Sequence, residues 1–339
     1  MMEQNGPTRD VLRRWVRRGE TRITSDEEGQ RLDRFLAERF TYRSRTQWSQ
    51  IIREGRIVLN GRKVRPSRVL RDGDLIGYVP APKPEPPIDR KIAILFVDDC
   101  LVAIAKTGNL PIHPSGGYFR HTLIHLLAET YPEYGSLRVI HRLDRETSGV
   151  VVFGRDREVT NRIAGQFRSR QVEKRYLALV EGSAPEPHFR IDRPLGPARD
   201  SLIRKAVGVR EDGAPACTEI RLLHQGDGWA WVEARPLTGR LHQIRVHLKS
   251  VGLPILGDKV YGRSERIFLK FVAGEPLSEE EAAALALPRQ ALHAYRLTIR
   301  HPASGKLFTL TAPLPSDLAG ALRSRGLDPA PWEMPCPPC

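Results

Sequence analysis

Residues 80–87, PAPKPEPP, contain five prolines in eight positions. Proline lacks the amide hydrogen that helices and inner strands need, so no regular element can run through this stretch. A segment of this kind is a stiff, extended spacer. The 339-residue chain must therefore fold as a small unit before it and a large one after it, as its length also suggests. We set the boundaries at a basic N-terminal extension (1–19), a small domain (20–80), a linker (81–92), a large domain (93–320) and a C-terminal tail (321–339).

In the small domain, RLDRFLAERF places Leu32, Phe35, Leu36 and Phe40 on one helical stripe. A capping-box pattern from Ser44 to Gln47 opens a second helix that stops at Gly55, with Trp48, Ile51 and Ile52 as its apolar face. RIVLNGRKV then reads as a hairpin, because Asn60-Gly61 suits a type I′ turn. The polar positions are mostly basic: Arg43, Arg45, Arg53, Arg62, Lys63, Arg65 and Arg68. Arg43 and Arg45 stand at a helix start, where the dipole also favours a phosphate. The same arginines would also suit an ordinary solvated face.

Charge sharpens that reading. The chain carries a net charge of +14, and residues 1–90 hold seven of those charges. Such a surface favours a polyanion and gives a fast, salt-sensitive encounter. No run of about 18 apolar residues offers a membrane span, and the N-terminus lacks an apolar signal core, so a cytoplasmic protein with no membrane partner is expected. Four cysteines are too few for a disulfide framework, and Cys336 and Cys339 form only half of a zinc site. No metal is expected, since His141 and His242 lack carboxylate or cysteine partners at ligand spacing.

Beyond the spacer, KIAILFV, CLVAIAK, GVVVFG, RYLALVEG and WAWVEAR read as strands. Helical runs fall at 121–130, 157–170 and 239–250. Strands outnumber helices without a βαβ rhythm, which predicts an α+β fold with a mainly antiparallel sheet. No phosphate-cradling glycine loop follows a strand, so no nucleotide cofactor is expected. In RPLTGRLHQIRVHLKSVG, Thr238 is a candidate N-cap, Leu241, Ile244 and Leu248 a buried stripe, and His242, Arg245 and Lys249 a basic one. Between SLRVI and VVVFG lies HRLDRETSG, which sets Asp144 among Arg142 and Arg145 at the edge of a core. Charge placed there costs free energy unless it is paired or used.

HRLDRETSG, GRLHQIRVH, GLPILGDKVYG, ALHAYRLTIRHPASG and TAPLP, in that order, closely resemble the RluA-type pseudouridine synthases. The resemblance covers about residues 93–315. Residues 20–80 resemble the αL RNA-binding module first known from a small-subunit ribosomal protein, whose second helix and hairpin face RNA. Thr107 stands where the family usually has proline in its Lys-Pro-x-Gly loop. The resemblance implies a pseudouridine synthase core with a central cleft, preceded by a helix-helix-hairpin module. It makes Asp144 the catalytic aspartate and Tyr176 the aromatic residue beside the target base. It makes Arg245 the basic partner of the aspartate, implicated in holding the flipped-out nucleotide arrangement. A guanidinium there could also fill the space that the base vacates.

The implied reaction breaks the bond from the uracil nitrogen to the anomeric carbon, turns the base and rejoins it through carbon 5. No electrons are gained or lost, so no cofactor is needed. A carboxylate beside the sugar would act as nucleophile or as the base that forms a glycal; the residues leave both routes open. Burial could raise an aspartate by about 3–5 pH units, and a neighbouring arginine lowers it by about 1–3. Arg245 would thus keep Asp144 charged, while Arg142 and Arg145 would meet loop carboxylates or RNA phosphates.

The RNA contacts expected are Arg43, Arg45, Arg53, Arg62, Lys63 and Arg142. The expected substrate is structured RNA, above all large-subunit ribosomal RNA, acted on by a monomer in ribosome biogenesis. The alternatives are a synthase acting on tRNA and a ribosome-assembly factor that binds RNA without catalysis. A retaining glycosidase would need a second carboxylic acid, and Glu146 is expected to point off a tight turn.

Overall fold

The computed structural model of the chain describes residues 20–40, 43–78, 85–115 and 117–333. The N-terminal extension, most of the proline spacer, and Cys336 and Cys339 lie outside them. The chain divides after Pro84 into two compact units.

In the first unit, β1 (Glu20–Arg22) precedes α1 (Leu32–Arg39) and α2 (Arg45–Arg53), and β2 (Ile57–Leu59), β3 (Arg62–Lys63) and β4 (Leu75–Tyr78) follow. The strands form one antiparallel sheet in the order β1-β4-β2-β3. The expected stripe is the core: Leu32, Phe35 and Leu36 of α1 pack with Trp48, Ile51 and Ile52 of α2 and with Ile57 and Ile76 of the sheet. Both halves of the Ser44–Gln47 capping box form. Asn60 and Gly61 both have positive φ, 51° and 76°, as a type I′ turn requires. The Asn60 amide adds a bond to Asp74 at 2.7 Å, fixing the hairpin against β4.

The second unit is α+β around one ten-stranded sheet. It begins with β5 (Ile92–Val97) and β6 (Leu101–Lys106), then α3 (Leu123–Thr130), β7 (Arg138–Val139), β8 (Ser148–Gly154) and α4 (Arg157–Arg168). There follow β9 (Glu173–Glu181), β10 (His188–Asp192), a small hairpin of β11 (Leu195–Pro197) and β12 (Val207–Val209), then β13 (Cys217–Gly226) and β14 (Trp229–Pro236). Next come α5 (Gln243–Ser250), α6 (Glu265–Ala273), α7 (Glu279–Leu285), β15 (Leu292–Arg300), β16 (Leu307–Thr311) and α8 (Ser316–Arg323). The sheet runs β10-β13-β14-β9-β15-β8-β6-β5, with β16 on β15 and β7 on β8. Its pairs are antiparallel except β15 with β8.

That parallel pair sits at the centre and explains the end of HRLDRETSG. Gly149 lies opposite Ala294 with φ of 121°, and a Cβ there would overlap the Ala294 carbonyl. Only glycine allows β8 to meet β15 so closely. All seven residues of β8 are buried, with α4 packing on one side through Val159 and Ile163, and α3 on the other through Leu123, Leu126 and Leu127.

Two sequence expectations about α5 are corrected. The helix starts at Gln243 rather than at Thr238, with His242 as the N-cap in the left-handed region. The Thr238 hydroxyl instead donates to the Gln243 side chain at 2.7 Å and accepts from the Cys217 amide at 3.0 Å. Leu241 therefore precedes the helix and is half exposed, while Ile244 and Leu248 are buried as expected. Helix α7 is capped by Ser278 through a capping box with Glu281, and Lys270 of α6 pairs with that Glu281.

Candidate active site and RNA-binding surface

Asp144 lies in the connection between β7 and β8, and the fold holds that connection from several directions. Lys106, at the end of β6, is buried and spends its three donors on the carbonyls of Thr107, Leu110 and Arg145, at 2.7, 2.9 and 3.0 Å. Burial drives its pKa far below that of an ordinary lysine. Arg289 donates to the Glu146 carbonyl at 2.9 Å, and Gln290 to the Thr147 hydroxyl at 2.6 Å. The Glu146 carboxylate takes Arg145 at 2.7 Å and Lys259 at 2.9 Å. Glu146 is thus turned inward and neutralised, where the sequence suggested that it points off the turn.

The Asp144 side chain meets α5. Arg245 donates from Nη1 to Asp144 Oδ2 at 2.8 Å. Its Nε and Nη2 form a fork on the Asp258 carboxylate at 2.7 and 2.8 Å. Asp258 is itself fully buried and accepts the amides of Val260 and Tyr261. The Tyr261 ring lies under the guanidinium, 4.8 Å from ring centre to carbon. Burial alone would raise the Asp144 carboxyl, but Arg245 and then His242 outweigh it and hold the carboxyl below its ordinary value. Asp258 is likewise held below its ordinary value against its burial, by Arg245 and then by the Tyr261 and Val260 amides. Asp144 is therefore ionised near neutral pH, with Oδ1 outside the Arg245 bond.

His242 Nε2 is 3.8 Å from that Oδ1, beyond hydrogen-bond length. Its Nδ1 meets the Tyr261 hydroxyl at 2.7 Å, and that oxygen accepts the Val207 amide at 2.9 Å. Burial, and next the Arg245 charge, push the imidazole pKa down to about 4, so the ring is neutral. Tyr176, on β9, faces the same charge: burial first and then Asp144 raise its phenol above the usual value. The hydroxyl keeps its proton.

The structure thus brings Asp144, Arg245 and Tyr176 into one electrostatic neighbourhood. It corrects one expectation for Arg245. A buried guanidinium tied by three bonds to two carboxylates is not available to enter a base stack. Arg142 is exposed, and no hydrogen bond or ion pair engages it among the described residues. Arg145 instead lies between the Tyr118 and Phe271 rings and beside Glu146. His141 is half-buried, accepts the Val152 amide at 3.1 Å and stacks on Phe167, a structural use. Thr107, in place of the usual proline, donates weakly to the Asp89 carbonyl at 3.4 Å.

Family models match both units. The model described as RNA pseudouridylate synthase covers residues 101–250, and the S4 domain model covers 30–76. An uncharacterized RNA pseudouridine synthase of Chloroflexus aurantiacus is 37% identical over 309 residues, spanning 89% of this chain and 92% of the relative. This chain belongs to the RNA pseudouridine synthase family. The synthase is also 35% identical over 297 residues to the ribosomal large subunit pseudouridine synthase D of Xanthomonas campestris pv. campestris, spanning 86% of this chain and 87% of that one. Among solved structures, human RNA pseudouridylate synthase domain containing 4 aligns with a TM-score of 0.55 at 27% identity, over 70% of this chain and 94% of that one.

Asp258 and Tyr261 escaped the residue-level reading, although their block, GLPILGDKVYG, was visible in the sequence. Their signal was a buried-type glycine-aspartate turn, which spacing alone does not tie to Asp144, more than a hundred residues away.

In the S4 domain of the synthase, the hairpin residues Asn60, Arg62, Lys63, Arg65, Ser67 and Arg68 line an open cleft of about 600 Å³. Arg53, Arg62, Lys63, Arg65 and Arg68 are exposed, and none forms an ion pair among the described residues. Arg45 differs: it pairs with buried Asp33 at 3.0 Å, a carboxylate shared with Arg31. Arg43 lies over the Trp48 ring, 5.1 Å from its centre. The two helix-start arginines thus have partners inside the domain, and the hairpin presents the open charge.

Proposed function

We propose that this synthase isomerises uridine in large-subunit ribosomal RNA, in the cytoplasm during ribosome biogenesis, as a monomer. The observation that carries the catalytic reading is the Asp144 carboxylate held by Arg245 through Oδ2, with Oδ1 taking no hydrogen bond among the described residues. In this reading Oδ1 acts at the sugar of a flipped-out uridine, as nucleophile at the anomeric carbon or as base at the neighbouring carbon. The bond from nitrogen 1 to the anomeric carbon breaks and the bond from carbon 5 forms. The proton lost from carbon 5 is balanced by one gained at nitrogen 1. Tyr176 lies beside the uracil, where a ring contact is worth about 1–3 kcal/mol. Flipping costs a few kcal/mol; Arg142, Arg53, Arg62 and Lys63 hold phosphates, and Arg43 and Arg45 shape that surface.

The ribosomal substrate rests on relatives described as ribosomal large subunit pseudouridine synthases D and C, at 35% and 31% identity. The test maps pseudouridines by chemical adduct and primer extension in total RNA from cells with the gene, without it, and complemented with Asp144→Asn. One or more sites in large-subunit ribosomal RNA should vanish without the gene and stay absent with Asp144→Asn. Loss confined to tRNA would refute the ribosomal assignment, and full restoration by Asp144→Asn would refute the role of Asp144.

A further inference from the structure

The uncommitted oxygen of Asp144 has a neighbour that the reaction scheme leaves idle. Oδ1 accepts, His242 Nε2 stands 3.8 Å from it, and the two do not bond to each other. Which hydrogen the imidazole carries follows from its other nitrogen. The Tyr261 oxygen already accepts the Val207 amide, and burial keeps the phenol protonated, its pKa pushed up to about 12. Among the described residues that hydroxyl has no acceptor other than His242 Nδ1, 2.7 Å away, so its one hydrogen is assigned to that bond. A neutral ring that accepts at Nδ1 carries its proton at Nε2. The site therefore sets a donor and an acceptor side by side.

The backbone gives a second, independent indication. His242 has φ of 55° and caps α5 without a side-chain capping bond. A non-glycine residue in this region costs free energy and persists where the surroundings impose it. Here the side chain makes no capping bond to the helix and stands beside Asp144 instead.

A hydroxyl oxygen about 2.8 Å from each atom would bridge a donor and an acceptor 3.8 Å apart, donating to Oδ1 and accepting from Nε2. Whether Asp144 attacks the anomeric carbon or takes the proton from the neighbouring carbon, the nearest hydroxyl is the 2′-OH of the same sugar. We propose that His242 Nε2 and Asp144 Oδ1 together bind the 2′-hydroxyl of the target nucleotide, with Tyr261 fixing the histidine tautomer. His242 is then a specificity-determining residue that reads ribose against deoxyribose, the one chemical difference that the sugar offers. This inference rests on the synthase reading of the Asp144 site.

The test uses an RNA fragment spanning whichever uridine the mapping identifies, made with ribose or with one 2′-deoxyribose at that position. Single-turnover rates are compared for the parent, His242→Asn and Tyr261→Phe. Asparagine tolerates the left-handed backbone but is too short to reach the hydroxyl. The parent should lose about tenfold or more on the deoxy fragment. His242→Asn should lose a similar factor on the ribose fragment, and little more on the deoxy one. Tyr261→Phe should fall between, since the ring can then protonate at either nitrogen. A non-specific folding defect would slow both fragments equally and leave the ratio intact. An unchanged ribose-to-deoxyribose ratio in His242→Asn therefore overturns the bridge and spares the synthase reading. A parent that converts no cellular RNA overturns both.

Discussion

Arg245 divides its guanidinium between two carboxylates, giving Asp144 one bond of 2.8 Å and Asp258 a fork at 2.7 and 2.8 Å. The division has an electrostatic logic. One buried arginine facing one buried aspartate would be neutral and tightly closed. With Asp258 taking two of the donors, Asp144 receives enough positive charge to stay ionised while one of its oxygens remains outside the pair. Asp258 acts as the anchor, because its own second contacts are backbone amides that cannot move away.

The pH dependence follows from that balance. In the folded protein the Asp144 carboxyl lies below its ordinary value of 3.8. Its contribution to stability is present above 3.8 and is lost as the pH falls through the lower folded value. The acid limb of the single-turnover rate should accordingly lie below 3.8, or be masked by acid unfolding. In Arg245→Gln the largest influence opposing burial is removed and only the smaller one of His242 remains, so the folded carboxyl rises and the limb moves upward into the accessible range. Arg245→Lys keeps a charge but cannot fork, and should give a smaller upward shift with a large loss of rate. A limb that stays in place in both variants would refute the assigned electrostatic role.

Asp258→Asn should loosen Arg245 without removing the acceptor for the Val260 and Tyr261 amides. Removing one partner of a buried pair costs about 3–5 kcal/mol, and the retained acceptor places this variant near the lower end. A fall of several degrees in the thermal midpoint is expected, with a rate loss of tenfold or more. RNA affinity should change little, because Asp258 is fully buried. Equal rates in Asp258→Asn and parent would show that the anchor is dispensable.

Local rules made much of this fold legible, and long-range closure made the rest obscure. Ser44–Gln47 and Asn60-Gly61 are short-range devices whose partners lie within three residues, and both form as read. The buried runs of β6, β8 and β9 declared themselves through branched residues. Thr238 misled because threonine is a good N-cap, yet a tertiary bond to the Cys217 amide claimed its hydroxyl. Leu241 followed the helical period into a segment that is not helical. Asp144, Tyr176 and Arg245 were found through a family resemblance; their spacing alone does not bring them together. Asp258, His242 and Tyr261 complete the geometry through contacts that only the folded chain reveals.

Gly149→Ala tests whether the catalytic connection depends on the parallel pair behind it. The added methyl group meets the Ala294 backbone, which cannot rotate aside, and φ of 121° is unfavourable for alanine. Strand β8 must shift away from β15, taking the Asp144 connection with it. A drop in thermal midpoint with strong loss of rate is expected, whereas Gly305→Ala, at an open turn with φ of 67°, should lower stability modestly and leave the rate intact. Parent-like stability in Gly149→Ala would contradict the close approach.

The S4 domain permits a sharper separation, because its arginines do different things. Arg62, Lys63 and Arg68 line the open hairpin cleft and form no ion pair among the described residues. Removing one phosphate-binding cation should reduce the slope of log affinity against log salt by about 0.7 on single-stranded RNA to about 0.9 on duplex. The triple alanine variant should therefore flatten the slope by about 2 to 3 in total, while the rate at saturating RNA persists. Arg45 bonds inward to Asp33, a nearly buried carboxylate, so Arg45→Ala removes one of that carboxylate's two arginine partners. It should lower the stability of the domain and change the salt slope by less than the value for a single phosphate. Titrating RNA binding from low to moderate salt, beside thermal unfolding of each variant, distinguishes the two roles. If the triple variant keeps the parent slope, the hairpin cleft is not the RNA-facing surface. If Arg45→Ala flattens the slope while stability holds, the helix start carries that role instead.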